Sequence, residues 1–178
     1  HFALRVPSRP ALARQLARLL ATDTRLTGAS DHSVSEALYL RDPDGHGIEI
    51  YRDRPPATWS RNGRVHMGTT ALDLDDLLKE APANAGDQDG LDPDTVIGHV
   101  HLETCDLDQS KDFYVDRLGF AVTAERPGAS FMSKGGYHHH VGLNTWESLC
   151  RPSPPSETTG LDHTAIGDPT RRHRVPRR

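Results

Sequence analysis

What this 178-residue chain lacks excludes several classes of function. It has no basic excess: 21 Lys and Arg against 25 Asp and Glu give a formal net charge of -4, so no surface calls for nucleic acid. Strong positive charge is confined to Arg171-Arg172-His173-Arg174 and Arg177-Arg178, a terminal run read as solvated. The two cysteines, Cys105 and Cys150, form no CxxC spacing and no disulfide framework, which fits a reducing cytoplasm. No apolar stretch approaches a membrane span or a signal peptide. An initiator methionine is also missing, which fits a processed start or a fragment.

Histidine is abundant, with 11 copies, and many fall on predicted strands. The length suits one fair-sized domain or two small modules, and the text reads as a repeat. Aligning His1-Phe2-Ala3-Leu4-Arg5-Val6-Pro7-Ser8 with His99-Val100-His101-Leu102-Glu103-Thr104-Cys105-Asp106 pairs His1 with His99 and Ser8 with Asp106. Each strand thus ends at a helix-capping residue. Pro10 near a first turn and Leu12, Leu16, Leu19 and Leu20 at helical spacing predict an amphipathic helix to about Thr22. In the second copy Asp106 with Gln109 forms a capping box, and Phe113, Tyr114 and Leu118 lead to a stop at Gly119.

Strands follow in both copies. Ser35 to Leu40 and Gly47 to Tyr51 flank the turn Asp42-Pro43-Asp44-Gly45, a hairpin signal. Phe120 to Ala124, Ala129 to Ser133 and His138 to Trp146 are three further strands. The expectation is an α+β fold of paired βαβββ modules forming a curved mixed sheet around a metal site. The first module spans 1–54 and the second 96–147. A linker with a short helix spans 55–95, and 148–178 is a Pro/Arg-rich tail with the stub of a further module at Gly160 to Ile166, read as disordered.

The metal site is read from three residues. His1 and His99 open equivalent strands, and Glu49 interrupts Gly47-Ile48-Glu49-Ile50-Tyr51, sharing a pleat face with Tyr51 while Ile48 and Ile50 point the other way. A carboxylate so placed needs a partner. A lone histidine at a strand start is more often structural than a ligand, but its repetition in both copies favours the metal reading. His101 shares the face of His99 and competes with it; the repeat alignment favours His99.

The sequence resembles the vicinal oxygen chelate superfamily, and within it the extradiol dioxygenases of the catechol-2,3-dioxygenase type. The likeness rests on Ser35 to Leu40 with Asp42 to Tyr51, on Ile97 to Leu102, and on Gly135-Gly136-Tyr137-His138-His139-His140-Val141-Gly142-Leu143-Asn144-Thr145-Trp146. Members of this group usually have four modules, and the chain looks like the second and third with a stub of the fourth. The resemblance implies a cytoplasmic Fe(II) enzyme, with Mn(II) or Zn(II) as alternative ions, that cleaves a catechol-like diol with O2. It implies His140 as acid/base and Tyr39 as the tyrosine at the substrate hydroxyl, with His32 and Asn144 as weaker substrate contacts. Tyr39 reads equally well as a core aromatic. The His138-His139-His140 run reads also as an exposed strand end, or as a patch with adventitious nickel or zinc affinity, and strand alternation sets His139 on the face opposite to the other two. Other expectations stay open: a glyoxalase-type lyase, weakened by the lack of a second-module carboxylate; a fosfomycin-resistance-type transferase; a non-catalytic ligand-binding module; and a homodimer that buries sheet edges.

Overall fold

The computed structural model describes residues 1–61, 63–85, 90–155 and 157–167. The basic run from Arg171 to Arg178 and part of the 83–94 loop lie outside them. The elements in order are β1 (Phe2–Arg5), α1 (Arg9–Ala21), β2 (Gly28–Asp31), β3 (Ser35–Arg41), β4 (Gly47–Asp53), β5 (Ser60–Arg61), β6 (Arg64–Val65), β7 (Thr70–Ala71), α2 (Leu74–Leu78), β8 (Val96–Glu103), α3 (Leu107–Asp112), β9 (Ala121–Arg126), β10 (Ala129–Ser133) and β11 (Val141–Asn144).

The helices of the two repeats, α1 and α3, start where the capping residues stand. The Ser8 hydroxyl accepts from the Ala11 amide at 3.2 Å, and Pro10 occupies the first turn, where a missing N–H costs nothing. The Asp106 carboxylate accepts from the Gln109 amide at 3.0 Å. α3 continues as one π-helical turn, Phe113–Arg117, and Gly119 then takes a φ of 71° that only glycine adopts without strain.

A single nine-stranded mixed sheet runs in the order β7-β2-β3-β4-β1-β8-β11-β10-β9. The opening strands of the two repeats, β1 and β8, lie antiparallel at its centre. Each is flanked by the last strand of its own repeat in parallel, β4 and β11, and by a hairpin partner beyond, β3 and β10. The repeat read from the sequence is therefore a pseudo-twofold arrangement. The 55–95 segment is more than a linker: β7 joins the sheet against β2, and β5 with β6 makes a separate hairpin. Two-residue strands are too short to leave an alternation of apolar and polar residues.

Alternation divides the sheet into two faces. Leu38 and Ile50 point toward α1 and pack with Val6, Leu12, Leu16 and Leu77, while Val100, Met132, Val141 and Leu143 pack with Phe120 and the α3 side. Leu12 and Leu16 are fully buried, so truncating either to alanine costs about 2–5 kcal/mol. Ala3, Ala37, Tyr39 and Tyr51 form the opposite face, which Glu49 shares. Residues 151–155 and 157–167 carry no helix or strand. Among the described residues no helix is long and apolar enough to cross a membrane.

Candidate metal centre

The geometry of the centre starts at Ala3. It pairs with Glu49 on the parallel side and with His99 on the antiparallel side, so a fully buried methyl group lies between a carboxylate and an imidazole. His1 precedes Ala3 by two residues and shares its face. Gly47 makes room for it, since a Cβ at that position would stand 2.8 Å from the His1 Cβ.

The three side chains converge on one oxygen. His1 Nε2 lies 3.0 Å and His99 Nε2 3.1 Å from Glu49 Oε2, and the three ligand atoms all fall within 4.8 Å of one another. Glu49 and His99 are buried, and the His1 side chain keeps 23% exposure. Burial pushes the Glu49 carboxyl up, but the charge and hydrogen bonds of His99 and His1 outweigh it and hold the group well below its ordinary 4.5. His99 Nδ1 has no hydrogen-bond partner among the described residues, so the ring's polar contact is through Nε2 alone. Two ring nitrogens and a charged carboxylate oxygen converging on one point fit a divalent transition ion held on one face. His101 is not one of the three converging residues. It packs against His1 with ring centroids 5.0 Å apart, and burial, then the charges of His1 and His99, push it down to about 3.

A cavity of about 600 Å³ opens beside these residues, with His32, Tyr39, Met67, Phe131, His139 and Trp146 among its walls. His32 Nδ1 faces the Gly68 carbonyl at 3.1 Å, and a carbonyl only accepts, so Nδ1 carries the proton. Nε2 then accepts from the Tyr39 hydroxyl at 2.8 Å. Burial, reinforced by the Glu49 charge, raises the Tyr39 phenol far above its ordinary range, so it is a hydroxyl at neutral pH.

His139, in the cavity wall, belongs to a second ordered set that runs away from the cavity to Asp53. Asp53 Oδ1 accepts from His138 Nε2 at 2.8 Å, and His138 Nδ1 meets His139 Nδ1 at 2.7 Å. Reading outward from the carboxylate, His138 protonates at Nε2 and accepts at Nδ1, so His139 donates from Nδ1 and its Nε2 is bare. Burial, then the charges of His99 and His138, hold the His139 imidazole well below its ordinary 6.5. The His139 and His99 rings lie 4.1 Å apart.

Residues 96–173 match the family model described as the glyoxalase/bleomycin resistance protein/dioxygenase superfamily. The chain is 48% identical over 172 residues to the catechol-2,3-dioxygenase of Bacillus subtilis (strain 168), an alignment that covers 93% of this chain and 59% of that protein. The chain belongs to this superfamily. It is also 34% identical over 74 residues to biphenyl-2,3-diol 1,2-dioxygenase 3 of Rhodococcus globerulus, covering 42% of this chain and 39% of that one. Among solved structures, glyoxalase I from Zea mays aligns at 16% identity and a TM-score of 0.43, covering 83% of this chain and 43% of that one. Both relatives are dioxygenases by name, and the chain spans 59% of the length of the first and 39% of the second.

Within this superfamily member, the residues expected from the sequence do not all meet. His1, Glu49, His99, Tyr39 and His32 lie together at the cavity. His140 does not line it: its Nδ1 accepts from the Lys134 amide at 3.4 Å and its ring stacks on Tyr137 at 4.9 Å. Running the β11 alternation back from Gly142, which pairs with His101, would set His140 on the metal face. The regular strand begins only at Val141, and bends at His138 and His140 break the alternation, so His139 faces the cavity instead. Asn144 is also off the cavity, with its carbonyl oxygen accepting from the Trp146 amide at 3.1 Å to end β11. His139 and Asp53 went unassigned in the sequence. The triple-histidine run was the available signal for the first; nothing local marks Asp53.

Proposed function

We propose that this chain carries the centre of an Fe(II)-dependent extradiol dioxygenase that inserts both atoms of O2 beside the diol of a catechol-like aromatic. The observation that supports it most is the convergence of His1, Glu49 and His99 next to a Tyr39–His32 pair in one cavity. The chain spans 59% of the length of the Bacillus relative, and the activity is proposed for the whole protein.

His1 and His99 would hold the iron through Nε2 and Glu49 through a carboxylate oxygen. Fe(II), when bound, would supply the one-electron chemistry that lets a diol react with dioxygen, which closed-shell side chains cannot supply. The other roles belong to the protein. Tyr39 donates to His32, which leaves the phenol oxygen's lone pairs to accept from a diol hydroxyl. Bare Nε2 of His139 takes a proton from the substrate and returns it, the acid/base role that the resemblance gave to His140. Phe131 and Trp146 supply apolar wall for an aromatic ring.

Mn(II) and Zn(II) are the alternative ions, and metal analysis separates them. The proposed setting is the cytoplasm, and the proposed assembly is a homodimer paired at a sheet edge, β7 or β9, checked by light scattering. The test of function is oxygen uptake by anaerobically Fe(II)-loaded protein on adding catechol, with absorbance read for the yellow semialdehyde. Uptake that needs both iron and catechol is expected. Bound iron with no uptake would overturn the reading.

A further inference from the structure

Two arginines, Arg41 and Arg126, stand in the cavity wall, and neither has an ion-pair partner among the described residues. Glu49 is engaged by His1 and His99. Arg41 is exposed at the end of β3, two positions on from Tyr39 and so on the same face, and it donates to the Gly45 carbonyl at 2.5 Å. Arg126 is half-buried at the end of β9. It donates to the Met67 carbonyl and, at 3.4 Å, to the Thr69 hydroxyl, both neutral acceptors. Its chain neighbour Glu125 pairs with Lys111 instead.

The position of Arg126 relates it to the chemistry. The Thr69 hydroxyl that receives it also lies 3.2 Å from His32 Nδ1, and His32 holds the Tyr39 hydroxyl. The guanidinium thus stands one hydroxyl group away from the pair assigned to the diol. A guanidinium withdrawn from water without a counter-charge is unfavourable, and its planar donors match a carboxylate. The cavity, at about 600 Å³, falls in the range that holds drug-sized ligands and leaves room beyond a bare diol ring.

We infer that the substrate is an anionic catechol, one bearing a carboxylate on a ring substituent. The carboxylate sits on Arg126, and Arg41 at the mouth steers it in. The inference rests on the dioxygenase reading for the placement of the diol, and it fixes the substrate class which that reading leaves open.

The test compares 3,4-dihydroxyphenylacetate with 4-ethylcatechol, a neutral analogue of similar length, on anaerobic Fe(II)-loaded protein. Calorimetry gives the affinities, and kcat/KM in air gives turnover. The anion should bind roughly 10- to 100-fold more tightly, as a charge-assisted contact gives, with the margin shrinking in high salt. In Arg126→Gln the two ligands should bind about equally, and Arg126→Lys, which keeps the charge, should retain part of the preference. Equal binding in the parent protein, or an unchanged preference in Arg126→Gln, would overturn the inference. Cleavage of both compounds without preference removes the anionic substrate and leaves the dioxygenase standing. Preferential binding without cleavage of either leaves the anion site and removes the dioxygenase, and binding of neither removes both.

Discussion

Gly142 stands in the second repeat where Glu49 stands in the first. Glu49 pairs in parallel with Ala3 of β1, and Gly142 pairs in parallel with His101 of β8. The exchange explains why the centre has one carboxylate: the His101 ring fills the space, and a Cβ at Gly142 would lie 3.1 Å from it. Two carboxylates, one from each half, are what a glyoxalase-type lyase would require. Gly142→Glu should therefore destabilise the protein by overpacking, by about 1–3 kcal/mol, without adding a fourth ligand. Thermal unfolding and metal content check this; a stable variant with tighter metal binding would contradict it.

Ala3 governs the spacing of the ligands. With Glu49 on one side and His99 on the other, a branched side chain at this fully buried position must push the strands or the ligands apart. Ala3→Leu should lose stability by about 1–3 kcal/mol and lose metal affinity as well. Ala37, fully buried on the same face but not paired with a ligand residue, provides the control: Ala37→Leu should lose stability with a smaller effect on affinity. Denaturant unfolding and metal titration of the two variants separate the effects.

Turnover should depend on His139 more than on His140. His139→Ala should slow the reaction by roughly 100- to 10,000-fold with iron still bound, the scale of a lost acid/base group. His140→Ala, off the cavity, should change it far less. The reverse order would return the role to His140 and require the 138–140 segment to rearrange in the working enzyme.

Acid should weaken the first repeat through Asp31. Burial raises its carboxyl, but the Arg54 guanidinium at 2.6 Å and the Ser33 amide at 2.8 Å lower it further, leaving it below its ordinary 3.8. A folded-state value below the unfolded one means the contribution is complete above about pH 4 and is lost as pH falls through the folded value. Urea midpoints measured from pH 6 downward should fall below about pH 4, and less steeply in Asp31→Asn. Parallel curves for the two proteins would show that Asp31 is not the group responsible.

The repeat was legible because capping residues and alternation are local. Ser8, Asp106, the Asp42–Gly45 turn and the opposed faces of Ile50 and Glu49 each depend on a few neighbours, and the pairing of His1 with His99 follows from aligning the two copies. Other features depend on distant contacts. β7 is two residues long and is fixed only by β2, and Asp53 acquires its role through His138, 85 residues away. His139 faces the cavity because the chain leaves regular geometry just before Val141. Alternation cannot anticipate such a break.

Metal content after equilibrium dialysis against Fe(II) under anaerobic conditions, in the parent protein and in Glu49→Ala, tests the central claim most directly. About one ion per chain in the parent and almost none in a folded Glu49→Ala protein is expected from a centre of three ligands whose only carboxylate is Glu49. Equal occupancy in the two proteins would show that the metal, if any, is held elsewhere, and the His1, Glu49 and His99 cluster would then be a buried ion pair rather than a metal centre.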